Sequence, residues 1–189
     1  MPEAENTDAG WHLLDGVEFG LIIEAATEGA SATARIEGDR FTLQSSDGAE
    51  PFEGAVSAAA LQLAILAGLG PRPRPVAEAP VLLADTVETA DRAGLLAAWA
   101  PDDLEGTPLG SEQVVVWTAW AAWPDPDDAS ESAVLRSFMV ADAGPQGIAL
   151  VDLDDDGVIV RPCSSTDVWF ALAGLLPYPV ELQSNVAVD

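Results

Sequence analysis

The chain has 189 residues, 49% hydrophobic and 21% charged, with 32 acidic side chains against seven arginines, no lysine and a net charge of −25. That length buries roughly 70% of the unfolded surface, and the even spread of apolar residues argues against disorder despite the charge. A surface this negative repels phosphate backbones and anionic headgroups, so nucleic acid and membrane surfaces are excluded as expected partners. The charge also admits a basic protein partner, a salt-adapted or GC-rich host, or a device for solubility.

Residues 1–10 are acidic and polar and lack the positive and apolar regions of a signal peptide. No apolar run reaches the ~20 residues of a membrane helix, and Cys163 is the single cysteine, so no intramolecular disulfide forms. A cytoplasmic protein without membrane insertion is expected. His12, beside Trp11 in a terminal strand, is read as a structural or surface histidine rather than a catalytic base.

Glu18 to Glu24 is expected to be a strand, although periodicity alone also admits a short helix over 17–27. Ala32 to Ile36 and Arg40 to Leu43 form a hairpin across the acidic, glycine-containing turn Glu37 to Asp39. An apolar helix then ends at Leu66-Ala67-Gly68-Leu69-Gly70-Pro71-Arg72-Pro73, where proline stops it. The proline-rich stretch Gly70 to Pro80 is a stiff connector leading into Val81 to Leu83. Asp85 to Glu88 opens a capped helix running to about Trp99, closed by Pro101.

Gln113 to Trp123 is apolar on both alternating faces and predicts a strand covered on both sides. It carries Trp117, Trp120 and Trp123, the candidate partner-binding residues. As a strand it puts Trp117 and Trp123 on one face and Trp120 on the other. Tryptophan buries a large rigid area and is enriched in interface hot spots, while three core tryptophans remain the alternative.

After a turn at Pro124 to Ser130, Val134 to Val140 is a strand, Gly144 to Gly147 a turn, and Ile148 to Leu153 pairs with Val158 to Val160. The intervening Asp152-Leu153-Asp154-Asp155-Asp156-Gly157 matches the opening of a calcium loop. Its twelfth position is Cys163 instead of glutamate, so an acidic hairpin turn is the expectation and no metal site is assigned. Cys163 itself, with Arg161 as its only positive neighbour, reads as a small buried apolar residue. A last helix ends in Leu172-Ala173-Gly174-Leu175-Leu176-Pro177-Tyr178-Pro179, identical to the earlier helix end at six of eight positions.

This echo divides the chain into two quasi-repeats, about 11–73 and 111–179, joined by 74–110 within one globular domain. Matching the hairpins aligns Glu18 to Glu24 with Val134 to Val140, and leaves about eleven extra residues around Glu50 to Ala60, read as a longer connection and a longer helix. The expected fold class is α+β: two halves, each an antiparallel β-meander followed by a helix, forming a central sheet with flanking helices. One histidine, one cysteine and no lysine leave little for acid–base or nucleophilic chemistry. No phosphate loop, zinc spacing or dinucleotide fingerprint is present, so no cofactor and no enzymatic activity are expected.

Three stretches resemble the EspG-type proteins, cytosolic chaperones of the ESX (type VII) secretion systems of actinobacteria. They are the helix end Leu66 to Pro73 with its connector, strand and Asp85; the segment Ala149 to Gly157; and the closing helix Asp167 to Leu176. The resemblance covers less than half the chain, which is shorter than the family norm between Trp99 and Gly110. It implies a quasi-two-fold fold with a central antiparallel sheet, no enzymatic activity, and a partner that is the helical tip of a PE–PPE secretion substrate. No binding motif of the family carries over to a residue here. Composition alone keeps a second reading open, an acidic inhibitor or mimic that occupies a basic protein surface, and the two differ in their salt dependence.

Overall fold

The computed structural model describes residues 14–25, 29–72, 81–83, 114–126, 133–154 and 157–183. Strands β1 (Glu18–Glu24), β2 (Gly29–Glu37), β3 (Arg40–Ser45) and β4 (Phe52–Ala55) lead through a 3₁₀ turn at Val56–Ala58 into helix α1 (Ala59–Leu66). A short β5 (Val81–Leu83) follows. Then come β6 (Val115–Pro124), β7 (Ala133–Asp142), β8 (Ile148–Asp154), β9 (Gly157–Cys163) and helix α2 (Ser165–Ala173). The predicted helix from Asp85 to Trp99, most of the proline-rich connector and His12 lie outside the described residues.

The nine strands among the described residues join one sheet in the order β4-β3-β2-β1-β6-β7-β8-β9-β5, every neighbouring pair antiparallel. The α+β class and the two strand-plus-helix halves are therefore as expected. β1 and β6 meet at the centre with Phe19 opposite Ala121 and Leu21 opposite Ala119. The strand order runs outward from this pair as β1-β2-β3-β4 on one side and β6-β7-β8-β9 on the other, each set followed in sequence by a helix, so β1 answers to β6, β2 to β7, β3 to β8 and β4 to β9.

The strand-by-strand alignment read from sequence is thus off by one strand. Glu18 to Glu24 corresponds to β6, not to Val134 to Val140, and the hairpin equivalent to β8–β9 is β3–β4. The extra residues around Glu50 to Ala60 are the fourth strand and a 3₁₀ turn, and α1 is no longer than α2, with eight residues against nine. The physical reason is that β4 reads Phe-Glu-Gly-Ala, with one good strand former in four, and takes its structure from pairing with β3.

Local chemistry explains the rest. β2 alternates cleanly, with Ala32, Ala34 and Ile36 buried and Thr33, Arg35 and Glu37 exposed. The β2–β3 turn has two residues and places Gly38 at φ +64°, where a side chain would be strained. The Ser164 side chain accepts from the Asp167 backbone N–H while the Asp167 carboxylate accepts from the Ser164 N–H, closing a capping box on α2. The two echoed glycines end their helices differently: Gly68 is left-handed at φ +63°, Gly174 right-handed at φ −92°.

One core lies between the sheet and the two helices. Phe19, Leu21, Ile36, Trp117 and Ile148 from the strands meet Leu63, Val168 and Leu172 from α1 and α2. Arginines tie the helix ends to this framework. Arg72 donates to both carboxylate oxygens of Asp142 at the end of β7, each at 2.8 Å, and to the Gly68 carbonyl at 3.0 Å. Those hydrogen bonds to Asp142 hold the Arg72 guanidinium above its ordinary pKa. Arg136 on β7 donates to the Gly174 and Leu176 carbonyls at 2.8 and 3.2 Å and pairs with Glu181, pinning the chain after α2.

Candidate partner-binding surface

β6 runs through the centre of the sheet, and its alternation decides what each tryptophan can do. Trp117, Ala119, Ala121 and Trp123 face the core, with Trp117 1% and Trp123 3% exposed. Trp117 meets the Phe138 ring edge-on at 6.0 Å, and the Arg136 guanidinium lies 5.2 Å from the Trp123 ring centre. Neither indole N–H finds a hydrogen-bond partner among the described residues. Two of the three candidate tryptophans are therefore packed where no partner reaches them in the folded chain.

Trp120 is on the opposite face, half-buried between Gly20 of β1 and Ser137 of β7. Thr118 and Ala122 on either side of it are also partly buried, so this second face of β6 is covered, though less completely than the core face. Only Val116, at the start of the strand, is fully buried on that face. A β-carbon on Gly20 would come within 2.9 Å of the Trp120 ring and 2.5 Å of the Ala32 carbonyl oxygen. The glycine thus lets the indole lie across the neighbouring strand. Gly20→Ala is expected to displace Trp120 and cost ~1–3 kcal/mol, read by urea denaturation together with a shift in tryptophan fluorescence.

Beside Trp120 the same face opens a groove of about 390 Å³ lined by Ile22, Glu24, Thr118, Ser137, Met139 and Asp152 among others. Its lining mixes apolar side chains with two hydroxyls, Thr118 and Ser137, and two carboxylates, Glu24 and Asp152. Ile22 is 45% exposed, and Leu135, also on this face, 66%. Asp152 is paired with Arg161 at 2.8 Å. Exposed aliphatic side chains beside a rigid aromatic ring form a surface suited to an apolar partner. Sequence pattern separated Trp120 from the other two, but Ile22 and Leu135 gave no signal, being apolar residues at ordinary strand positions.

Other candidate chemistry resolves simply. Cys163 is buried, its Sγ 3.7 Å from the Ile148 carbonyl, and burial pushes the thiol up to about 11. It is protonated at neutral pH and not a nucleophile. The acidic turn is the end of the β8–β9 hairpin, where Asp154 pairs with Gly157; Asp155 and Asp156 lie outside the described residues. Among the described residues no group of three or more His, Cys, Asp or Glu side chains could hold a metal ion. Among them, too, no helix is long and apolar enough to cross a membrane.

No protein-family model matches the sequence, and no curated protein matches it. Among solved structures, the fold is similar to that of the type VII secretion system chaperone EspG5 of Mycobacterium tuberculosis, determined in complex with the PE25–PPE41 dimer. The superposition has a TM-score of 0.51 at 10% sequence identity and covers 87% of this chain and 75% of that one. The likeness is one of fold: that of a chaperone known to hold other proteins.

Proposed function

We propose that this chain is a non-catalytic, chaperone-like binding protein of the cytoplasm whose partner is an α-helical substrate of a type VII secretion system. The observation that carries this reading is the shared fold, which extends over most of the chain and pairs the same two-halved sheet with a protein-binding role. The buried, protonated Cys163 and the exposed apolar side chains of Ile22 and Leu135 support binding rather than catalysis. On this reading residues 1–189 act as one unit, with quasi-repeats 11–73 and 111–179 joined by 74–110. The face bearing Trp120, Ile22 and Leu135 contributes to the contact, while Trp117 and Trp123 support it from within.

The test is co-expression with small helical secreted proteins encoded beside it, followed by calorimetry on any purified complex. Trp120→Ala is expected to weaken that complex by ~2 kcal/mol or more, roughly thirtyfold in Kd, with the melting temperature of the free chain little changed. Failure to form a complex with any such helical protein would overturn the reading. The net charge of −25 supports one alternative, an acidic inhibitor of a basic protein. Its complex would weaken steeply as salt is raised, whereas one built on apolar burial would not.

A further inference from the structure

On the face of the sheet away from the helices, the register of three strands sets three large side chains on one diagonal. Leu135 of β7 stands opposite Ala122 of β6, Trp120 lies two residues along β6, and Ile22 of β1 stands opposite Thr118, two residues further on. Each step crosses one strand and two residues. With strands about 4.8 Å apart and a rise of about 3.4 Å per residue, one step is roughly 8 Å and the whole diagonal roughly 17 Å. Leu135 and Ile22, its two ends, are exposed, and Ser137 and Gly20 on either side of Trp120 are small. The two borders of this line differ in charge. On β1 the same face carries Glu18 and Glu24 beyond Gly20 and Ile22, whereas on β7 it carries Leu135, Ser137 and Met139 and no charge. Glu18 meets Arg35 at 3.4 Å with both side chains about half exposed, a contact that a second cation can share at little cost.

We propose that this diagonal seats a single amphipathic helix of the partner, lying side-on across β7, β6 and β1, with basic side chains along its flank toward β1. The proposal rests on the protein-binding reading above and adds how the partner is read. A helix rises 1.5 Å per residue, so roughly 17 Å is about eleven residues, or three turns. Apolar residues at i, i+4, i+7 and i+11 form one stripe of that length, whose ends reach Leu135 and Ile22 while the middle pair straddles the indole. An added strand has no place here, because it pairs through backbone at a sheet edge, and β1, β6 and β7 each have a strand on both sides. A second copy of the chain does not supply the occupant either. Neither α1 nor α2 carries a basic side chain, and a net charge of −25 on each copy opposes the approach. The same charge draws in a basic helix.

The probe is a synthetic, labelled, alanine-rich peptide of about 18 residues with leucines at i, i+4, i+7 and i+11 and lysines on one flank, titrated against the full chain by fluorescence anisotropy. Two controls separate shape from charge: the same composition with the leucines scattered round the helix, and the same leucines with glutamates for lysines. At about 0.1 M salt the first peptide is expected to bind about tenfold tighter than either control, and its advantage over the glutamate peptide to shrink at about 1 M. Leu135→Ala and Ile22→Ala are each expected to weaken it about three- to tenfold, with the thermal melt of the Leu135→Ala chain unchanged. Removing the last turn of the peptide should abolish its sensitivity to one of these two substitutions and leave the other intact, because each end of the helix meets one end of the diagonal.

Equal binding of the patterned and scattered peptides overturns the proposal, since charge alone then accounts for the contact. So does a patterned peptide indifferent to both substitutions, or a shortened one still sensitive to both, which would mean end-on docking. A folded helical secretion substrate that binds through Trp120 while the peptide does not overturns the side-on seat and leaves the protein-binding reading standing. If neither the substrate nor the peptide binds, both fall.

Discussion

Trp117→Ala is expected to lower the stability of the isolated chain by ~3–5 kcal/mol, because it removes the largest fully buried side chain of the core and leaves a cavity beneath α1 and α2. Trp123→Ala belongs in the same range, since it also exposes the apolar floor over which Arg136 lies. Trp120→Ala is expected to cost less than either, as its indole is only partly buried and its removal leaves less of an enclosed cavity. Urea denaturation of the three variants checks the ranking. The unpartnered indole N–H refines it: an unsatisfied buried donor costs ~1–3 kcal/mol, so Trp117→Phe, which deletes that donor and keeps a ring, should fall far closer to the parent than Trp117→Ala. Equal losses at positions 117, 120 and 123 would contradict the two-faced arrangement of β6.

The second large effect concerns Asp142. Simple charge counting says that removing one carboxylate from a chain of net charge −25 relieves repulsion and stabilises it. Asp142→Ala is expected to do the opposite, costing about 3 kcal/mol. The carboxylate is 7% exposed, accepts two bonds from Arg72, and accepts a third from the Gly144 N–H at 2.8 Å. Its loss leaves a guanidinium only 21% exposed without its counter-charge. Because Arg72 is not wholly buried, solvent takes back part of the penalty, which keeps the figure at the low end for a broken buried pair. The double variant Arg72→Ala, Asp142→Ala should lose less than the sum of the two single changes. Both are read from chemical denaturation in moderate salt, and a stabilised Asp142→Ala would show that charge counting governs this site after all.

Much of the fold was legible because the local signals were strong. Glu37 to Arg40 carries a turn glycine between alternating strands, and the two leucine-rich, proline-stopped segments mark helix ends in both halves. The strand count in the first half was not legible. β4 has almost no intrinsic strand preference, and successive strands of a meander all show a period of two, so an alignment can slip by one strand without violating any pattern. The site was half legible for a related reason. Alternation separated Trp120 from Trp117 and Trp123, but which face is inside depends on α1 and α2 settling over the Ala119–Ala121 side, and both faces of β6 are rich in apolar residues. The exposed side of α1, with Leu61 and Ile65, was hidden as well. Ala-Ala-Leu-Gln-Leu-Ala-Ile-Leu is apolar around nearly its whole circumference, so its sequence names no exposed side.

The pairing of β1 with β6 has a consequence for synthesis. β1 is made early and its hairpin partner β2 follows directly, yet its other edge is completed only by a strand that begins roughly 90 residues after β1 ends. At about 5–20 residues per second the ribosome needs roughly 5–20 s to deliver that strand. During this interval Phe19, Leu21 and Ile23 stand on an open edge in the middle of what will become the sheet. The nascent first half therefore passes through a state with its own unpaired seam, and a protein whose mature fold resembles that of a chaperone presents, while being made, the kind of open edge that chaperones cover.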